Sequence, residues 1–367
     1  MKWERRAGQL RRNDRKAAMI DLNSIYDHIE AACIDEFKQD PPVPVSYLLC
    51  GRTIQVHYPS PNLYQALHPA LAHLEVDTTS YPDLLIRVIE KEPEGLLEQD
   101  IWFGTYPEEP ASNYISADRN IFMQRTAEGA LSIVDRSLDR ACFWVRNLET
   151  LPYWEMAAPL RIIINWWGIA HGMQLLHAAA IGCQGRGVLL AGKSGSGKST
   201  IAVSCLAGGL LYLGDDHVIL DTNQRTEAHS IFATAKLNDD MVPLFDALGA
   251  SIHRMPHKSS EKQMVLLPRE MITPSLPLVA LLIPSISEER STRVEPASAM
   301  LGMLALAPST LLYCPGGAEQ TLNTMAELSR TLPVYRIFLG ADHDRMVAFL
   351  KEWIPTLNSP EEAANHG

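Results

Sequence analysis

The stretch from Gly187 to Leu220 constrains this chain most, because it joins a phosphate cradle to a pair of carboxylates. The apolar run Gly187-Val188-Leu189-Leu190-Ala191 predicts a strand. Behind it, Gly192-Lys193-Ser194-Gly195-Ser196-Gly197-Lys198-Ser199 fits the P-loop pattern G-x-x-x-x-G-K-[ST], and a helix is expected from Lys198 to Ala207. Strand, loop and helix thus come in the order a phosphate site requires. Gly192, Gly195 and Gly197 leave backbone N–H groups open to phosphate oxygens, and the helix adds its positive N-terminal end. Lys193, Ser194, Ser196 and Thr200 complete the cradle. Lys198 is expected to hold the outer phosphates and the Ser199 hydroxyl to ligate Mg²⁺, so ATP and Mg²⁺ are the expected cofactors.

Downstream, Leu210-Leu211-Tyr212-Leu213 predicts a buried strand ending in Gly214-Asp215-Asp216-His217, with a second apolar run, Val218-Ile219-Leu220, after it. Beside a phosphate loop in a parallel sheet, two carboxylates at a strand end have two uses. One can take a proton from an attacking hydroxyl while the other holds Mg²⁺, or one is simply the metal ligand of an ATPase. Upstream, Leu175 to Gly182 predicts one strand, and Cys183-Gln184-Gly185-Arg186 the turn returning into the P-loop strand. His177 then lies across a hairpin from the phosphate loop, where a histidine serves either catalysis or structure.

Together, His177, the loop GKSGSGKS and the pair Asp215-Asp216 resemble the HPr kinase/phosphorylase family of bacterial serine kinases. The resemblance covers roughly residues 170 to 350, and its specific motifs lie between 177 and 220. Thr200 stands where that family usually has Glu, and the chain looks closer to the HPr-kinase-like tailoring kinases found with lasso-peptide biosynthesis enzymes. The resemblance implies an α/β P-loop kinase core over residues 151–358, preceded by a smaller N-terminal α/β domain over 1–150 and followed by a flexible tail over 359–367. It implies that Asp215 is the base, that Asp216 and Ser199 hold Mg²⁺, that Lys198 stabilises charge and that His177 orients the acceptor or the γ-phosphate. Asp215 and Asp216 can exchange roles. The implied partner is a peptide or small protein with an acceptor serine, a lasso-peptide precursor being the specific case, and a homo-oligomer is compatible with it. Two rivals stay open: an ATPase or nucleotide-gated binding module, and a small-molecule kinase on the same core.

Composition agrees with a cytoplasmic enzyme. Hydrophobic residues make up 46% of 367 residues, enough for sizeable cores, and a net charge of -11 argues against a nucleic-acid surface. The six cysteines show no C-x-x-C pair and no zinc spacing. The most apolar long window, Ala157 to Ile181, contains Pro159, Arg161, His171 and His177, which a membrane span tolerates poorly. It predicts instead a core helix from Tyr153 to Gln174.

Elsewhere the patterns predict elements but no chemistry. Seven cations between Lys2 and Lys16 form a solvated terminus or a docking arm for an acidic peptide. A helix is expected from Ile20 to Phe37, a hairpin around Gly51, a helix from Tyr64 to Leu74 and a strand from Leu84 to Ile89. Lys236 to Asp240 is expected to open a helix, with Lys236 reaching a phosphate or capping a surface turn. His253 to Lys262 is a basic loop, Val334 to Leu339 a final strand, and Asp342 to Ile354 a closing helix.

Overall fold

The computed structural model describes residues 22–90, 111–116, 120–126, 129–223, 226–238, 253–254, 262–286, 291–311, 317–340, 342–359 and 362. The basic segment between Lys2 and Lys16, Asp239 and Asp240, most of the basic loop, Cys314 and nearly all of the tail lie outside these residues. Among the described residues the strands form three sheets in a mixed α/β fold.

The first sheet draws on β1 (Val43–Leu49), β2 (Arg52–Tyr58), β3 (Glu75–Val76), β4 (Leu84–Ile89), β5 (Ala111–Ser116), β6 (Ile121–Thr126), β7 (Ala130–Asp135) and β8 (Arg140–Val145). Their order is β3-β1-β2-β4-β8-β7-β6-β5. The β1–β2 turn uses Cys50 at φ 48° and Gly51 at φ 72°, the left-handed pair that a two-residue hairpin needs. Helix α1 (Leu22–Gln39) lays Leu22, Ile25, Tyr26, Ile29 and Cys33 on one face of the sheet, against Ile133, Cys142 and Trp144. After α2 (Pro61–Leu67) the chain tightens into two 3₁₀ turns, so the helix expected to reach Leu74 ends seven residues earlier.

The single helix expected over Tyr153–Gln174 is three elements. Helix α3 (Tyr153–Ala157) stops before Pro159, Leu160 turns at φ 59°, and α4 (Arg161–Ala170) starts afresh before strand β9 (Met173–Leu176). Proline lacks the N–H that a continuous helix would require, and the left-handed residue redirects the axis. Trp166 and Trp167 of α4 are buried in a hydrophobic cluster that runs unbroken from Val45, Ile54 and Phe143 of the first sheet to Leu175, Ile219 and Phe232.

The second sheet adds β10 (Ala179–Cys183), β11 (Arg186–Leu190), β12 (Leu211–Gly214), β13 (Val218–Asp221) and β14 (Glu227–Ser230) to β9. A small third sheet contains β15 (Thr234–Asn238), β16 (His253–Arg254) and β17 (Lys262–Leu266). The second is completed by β18 (Ser275–Ile286), β19 (Arg293–Ala297) and β20 (Val334–Leu339), in the order β12-β10-β11-β18-β14-β13-β9 with β20 also on β18 and β19 on β20. Strand β18 is buried along most of its length, as a central strand covered on both faces must be. Only β11, β18 and β20 run parallel, so the sheet is mixed rather than parallel as the acidic pair's setting had suggested. Helix α5 (Lys198–Ala207) packs its buried Ile201, Ala202 and Cys205 in a cluster with Ile181, Val188 and Tyr212. Helices α6 (Ala299–Leu311) and α7 (Ala318–Thr331) join another cluster of this sheet, while α8 (His343–Trp353), capped by the Asp342 side chain, closes on α5. The five described cysteines, Cys33, Cys50, Cys142, Cys183 and Cys205, are free thiols. No helix among the described residues is long and apolar enough to cross a membrane.

Candidate functional site

Strand β11 delivers the chain into the glycine-rich loop, and α5 starts at Lys198 as its sequence predicts. Gly197 caps that helix at φ 102°, a left-handed conformation, and a Cβ there would lie 2.6 Å from Leu339 Cδ1. Glycine adopts that backbone conformation without strain, whereas a side chain would be strained there and would also push on the Leu339 methyl. Lys193, Ser194 and Gly195 are exposed at the loop crest, Ser196, Gly197, Ser199 and Thr200 are half-buried, and Gly192 is buried at its base. The Lys198 ammonium is folded inward, donating to Gly192 O at 2.7 Å and Lys193 O at 3.4 Å, so the cation is already held inside the cradle. The glycines, Lys198 and the N-terminus of a ten-residue helix suit a polyphosphate.

The hairpin β10–β11 pairs Ala179 with Leu190, and β12 lies on the other side of β10. Asp215 therefore emerges from β12 next to the loop, close enough to Ser199 for that side chain to act on its carboxylate. Its carboxylate is buried, accepts from the backbone N–H of Lys236 at 3.1 Å and lies 3.3 Å from the Tyr212 hydroxyl. Burial, followed by the charge of Asp216, pushes Asp215 up to about 6, although Lys236 and Ser199 oppose the shift.

Asp216 behaves in the opposite way. Burial alone would raise it, but His217, Lys236 and His177 outweigh that effect and hold it well below the ordinary carboxylate range. The Lys236 ammonium pairs directly with Asp216 Oδ2, His217 Nδ1 lies 3.4 Å from the same oxygen, and His177 Nε2 lies 3.5 Å from Oδ1. Burial lowers both histidines, His217 to about 3, so at neutral pH the lasting cation on Asp216 is Lys236. The two neighbouring carboxylates are thus driven apart, Asp215 becoming the more basic and Asp216 the more firmly anionic.

His177 does not lie within a strand. The run expected to be one strand breaks into β9 and β10, and His177 occupies the break, where its backbone N–H donates to Thr310 Oγ1 of α6 at 3.2 Å. Lys236 is on strand β15, not at a helix start, and its side chain is directed to Asp216. His217 and Lys236 join the acidic pair although the motifs gave neither a definite role. The local signal for His217 was its place directly after Asp215-Asp216; Lys236 had none.

The acidic pair lines a pocket of about 270 Å³ to which no residue of the P-loop contributes. Trp154, Ala157, Phe232 and Met264 form apolar walls, Arg161 and Lys236 supply cations, and Asp215 and Asp216 line one side. The wall is fixed in place: Thr234 Oγ1 donates to Ala157 O at 2.9 Å, and Arg161 pairs with the buried Glu155 at 3.1 Å. An apolar pocket with a few convergent polar groups suits a small ligand or a single side chain of a larger one.

Fold and site thus define a mixed α/β protein with a P-loop and an adjoining acidic pair. No protein-family model matches the chain, and neither does any curated protein. Among solved structures, the HPr(Ser) kinase/phosphatase from Coxiella burnetii is similar over 53% of this chain and 95% of its own, at 12% identity and a TM-score of 0.25. So loose a likeness assigns no residue a role.

Proposed function

We propose that this protein is an ATP-dependent, magnesium-dependent kinase that transfers the γ-phosphate to a serine hydroxyl of a peptide or small protein. The observation that carries this reading is the double placement of Asp215, which lies beside Ser199 of the phosphate loop and also lines the 270 Å³ pocket. A hydroxyl entering that pocket would meet the carboxylate between itself and the nucleotide. With its pKa raised to about 6, Asp215 is ionised at neutral pH yet basic enough to accept the hydroxyl proton.

Lys198 supplies positive charge to the outer phosphates from within the loop. Ser199 and Asp216 are the residues that would hold magnesium, and their hydroxyl and carboxylate oxygens are the donors a hard cation prefers. Bound there, the ion would neutralise charge on the transferring phosphoryl group. Lys236 keeps Asp216 anionic, and His177 orients the acceptor side of the site. A lasso-peptide precursor is the specific acceptor that the sequence resemblance suggests.

The test is incubation of the full chain with ATP and Mg²⁺ and a panel of serine-containing peptides, including those encoded beside its gene, followed by mass spectrometry. One added phosphate on a serine is expected. Phosphate release with no labelled acceptor would favour the ATPase reading, and labelling of free metabolites alone the small-molecule kinase.

A further inference from the structure

The proposed transfer gives His217 no task, although its ring faces the most strongly held anion in the site. The ligating atoms of His177, Asp216 and His217 all lie within 4.8 Å of one another. A tetrahedral ion with bonds of about 2.0–2.2 Å spaces its ligand atoms about 3.3–3.6 Å apart. His177 Nε2 stands 3.5 Å from Asp216 Oδ1 and His217 Nδ1 3.4 Å from Oδ2, so each imidazole is at ligand spacing from one oxygen of the carboxylate and a small rotation of Asp216 would bring one oxygen to both. The backbone of His177 is anchored by its N–H to Thr310, and the buried His217 ring packs edge-on against His177 and Phe232.

We propose that His177, Asp216 and His217 form a site for a divalent transition-metal ion of the zinc class, which would share the Asp216 carboxylate with the nucleotide-bound magnesium of the proposed function, and that Lys236 competes with the ion for Asp216. Two imidazole nitrogens and one carboxylate suit zinc and its first-row neighbours, whereas magnesium prefers six oxygens. Three protein ligands leave a fourth position for water or an acceptor oxygen, the arrangement of an open zinc site. Lys236 already places an ammonium group on the same carboxylate, which shows that a cation is stabilised there. Its side chain is 27% exposed, so its flexible stem can swing out as the metal enters. The site does not depend on the kinase reading, since none of its ligands needs a nucleotide.

The experiment uses untagged, full-length, chelator-stripped protein without nucleotide. Co²⁺ is titrated in with the visible spectrum as readout, and Zn²⁺ affinity is measured by calorimetry. Intense low-symmetry d–d bands at one ion per chain are expected. His177→Ala should weaken Zn²⁺ binding at least about 100-fold, more than the loss of an outer-shell partner. His217→Gln, which keeps bulk at the buried position, should do the same with its melting temperature as a check on folding. Lys236→Met should tighten binding at least about tenfold by removing the competing charge. No saturable binding, a weak oxygen-only octahedral spectrum, or affinity that survives both histidine variants would overturn the site. An unchanged affinity in Lys236→Met would overturn the competition.

Discussion

The backbone N–H of Lys236 meets Asp215 Oδ2 at 3.1 Å while the side chain of the same lysine pairs with Asp216. One residue of β15 thus touches both carboxylates with different groups, and the two contacts can be separated by mutation. Lys236→Met retains the N–H and deletes the ammonium. Asp215 loses a charge that holds it down, so its pKa should climb above about 6. Transfer at neutral pH should fall about tenfold, with the acid limb of the pH–rate curve displaced to higher pH. An unmoved limb would mean that the lysine charge does not act on the base.

Asp215→Asn separates proton acceptance from binding. The amide is close to isosteric but takes no proton, so ATP should bind with near wild-type affinity while phosphate transfer drops by roughly 100-fold or more. In the wild type, the base form of Asp215 appears as pH rises through about 6, so kcat/KM should rise through that value and level off above it. Isothermal titration with a non-hydrolysable ATP analogue and single-turnover kinetics read the two quantities separately. Equal survival of binding and transfer would make Asp216 the next candidate base.

Lys198→Ala tests the phosphate loop itself. The ammonium sits 2.7 Å from Gly192 O, within the cradle that the glycines form. Its loss should reduce transfer at least about 100-fold, as the removal of other electrostatic stabilisers does. A variant with near wild-type turnover would remove the loop from the proposed chemistry.

What could be read from the sequence was local. The P-loop helix begins and ends at Lys198 and Ala207, and Leu84–Ile89 and Val334–Leu339 are strands, because periodicity and glycine placement act over a few residues. The site also needed contacts between distant segments. Lys236 reaches Asp216 from 20 residues away in a different sheet, so no spacing rule reveals it. Arg161 enters the pocket only because Leu160 turns the chain at φ 59°, a left-handed conformation that is unusual for leucine and that periodicity does not register. His177 was recognisable as a residue, yet at the break between strands its backbone N–H is met by the hydroxyl of Thr310, 133 residues further along.

The last prediction concerns the junction of the two large sheets. His73 lies in the 3₁₀ turn before β3, is 8% exposed, and its Nε2 is 3.1 Å from Ser230 Oγ on β14 of the second sheet. Nδ1 has no hydrogen-bond partner among the described residues, so a proton on that nitrogen would be buried and unsatisfied. Burial, assisted by Arg269, lowers the His73 pKa from 6.5 to about 4. Because the folded-state value is depressed, the unfolded chain binds more protons between those two values. Stability from this residue is complete above about pH 6.5, declines as the pH falls, and is lost once it passes through about 4. The span corresponds to roughly 3 kcal/mol. Urea unfolding at a series of pH values should show that decline in the wild type. In His73→Gln, which keeps a polar partner for Ser230 but does not titrate, the curve should be flatter by a similar amount. Parallel decline in both proteins would place the acid sensitivity elsewhere.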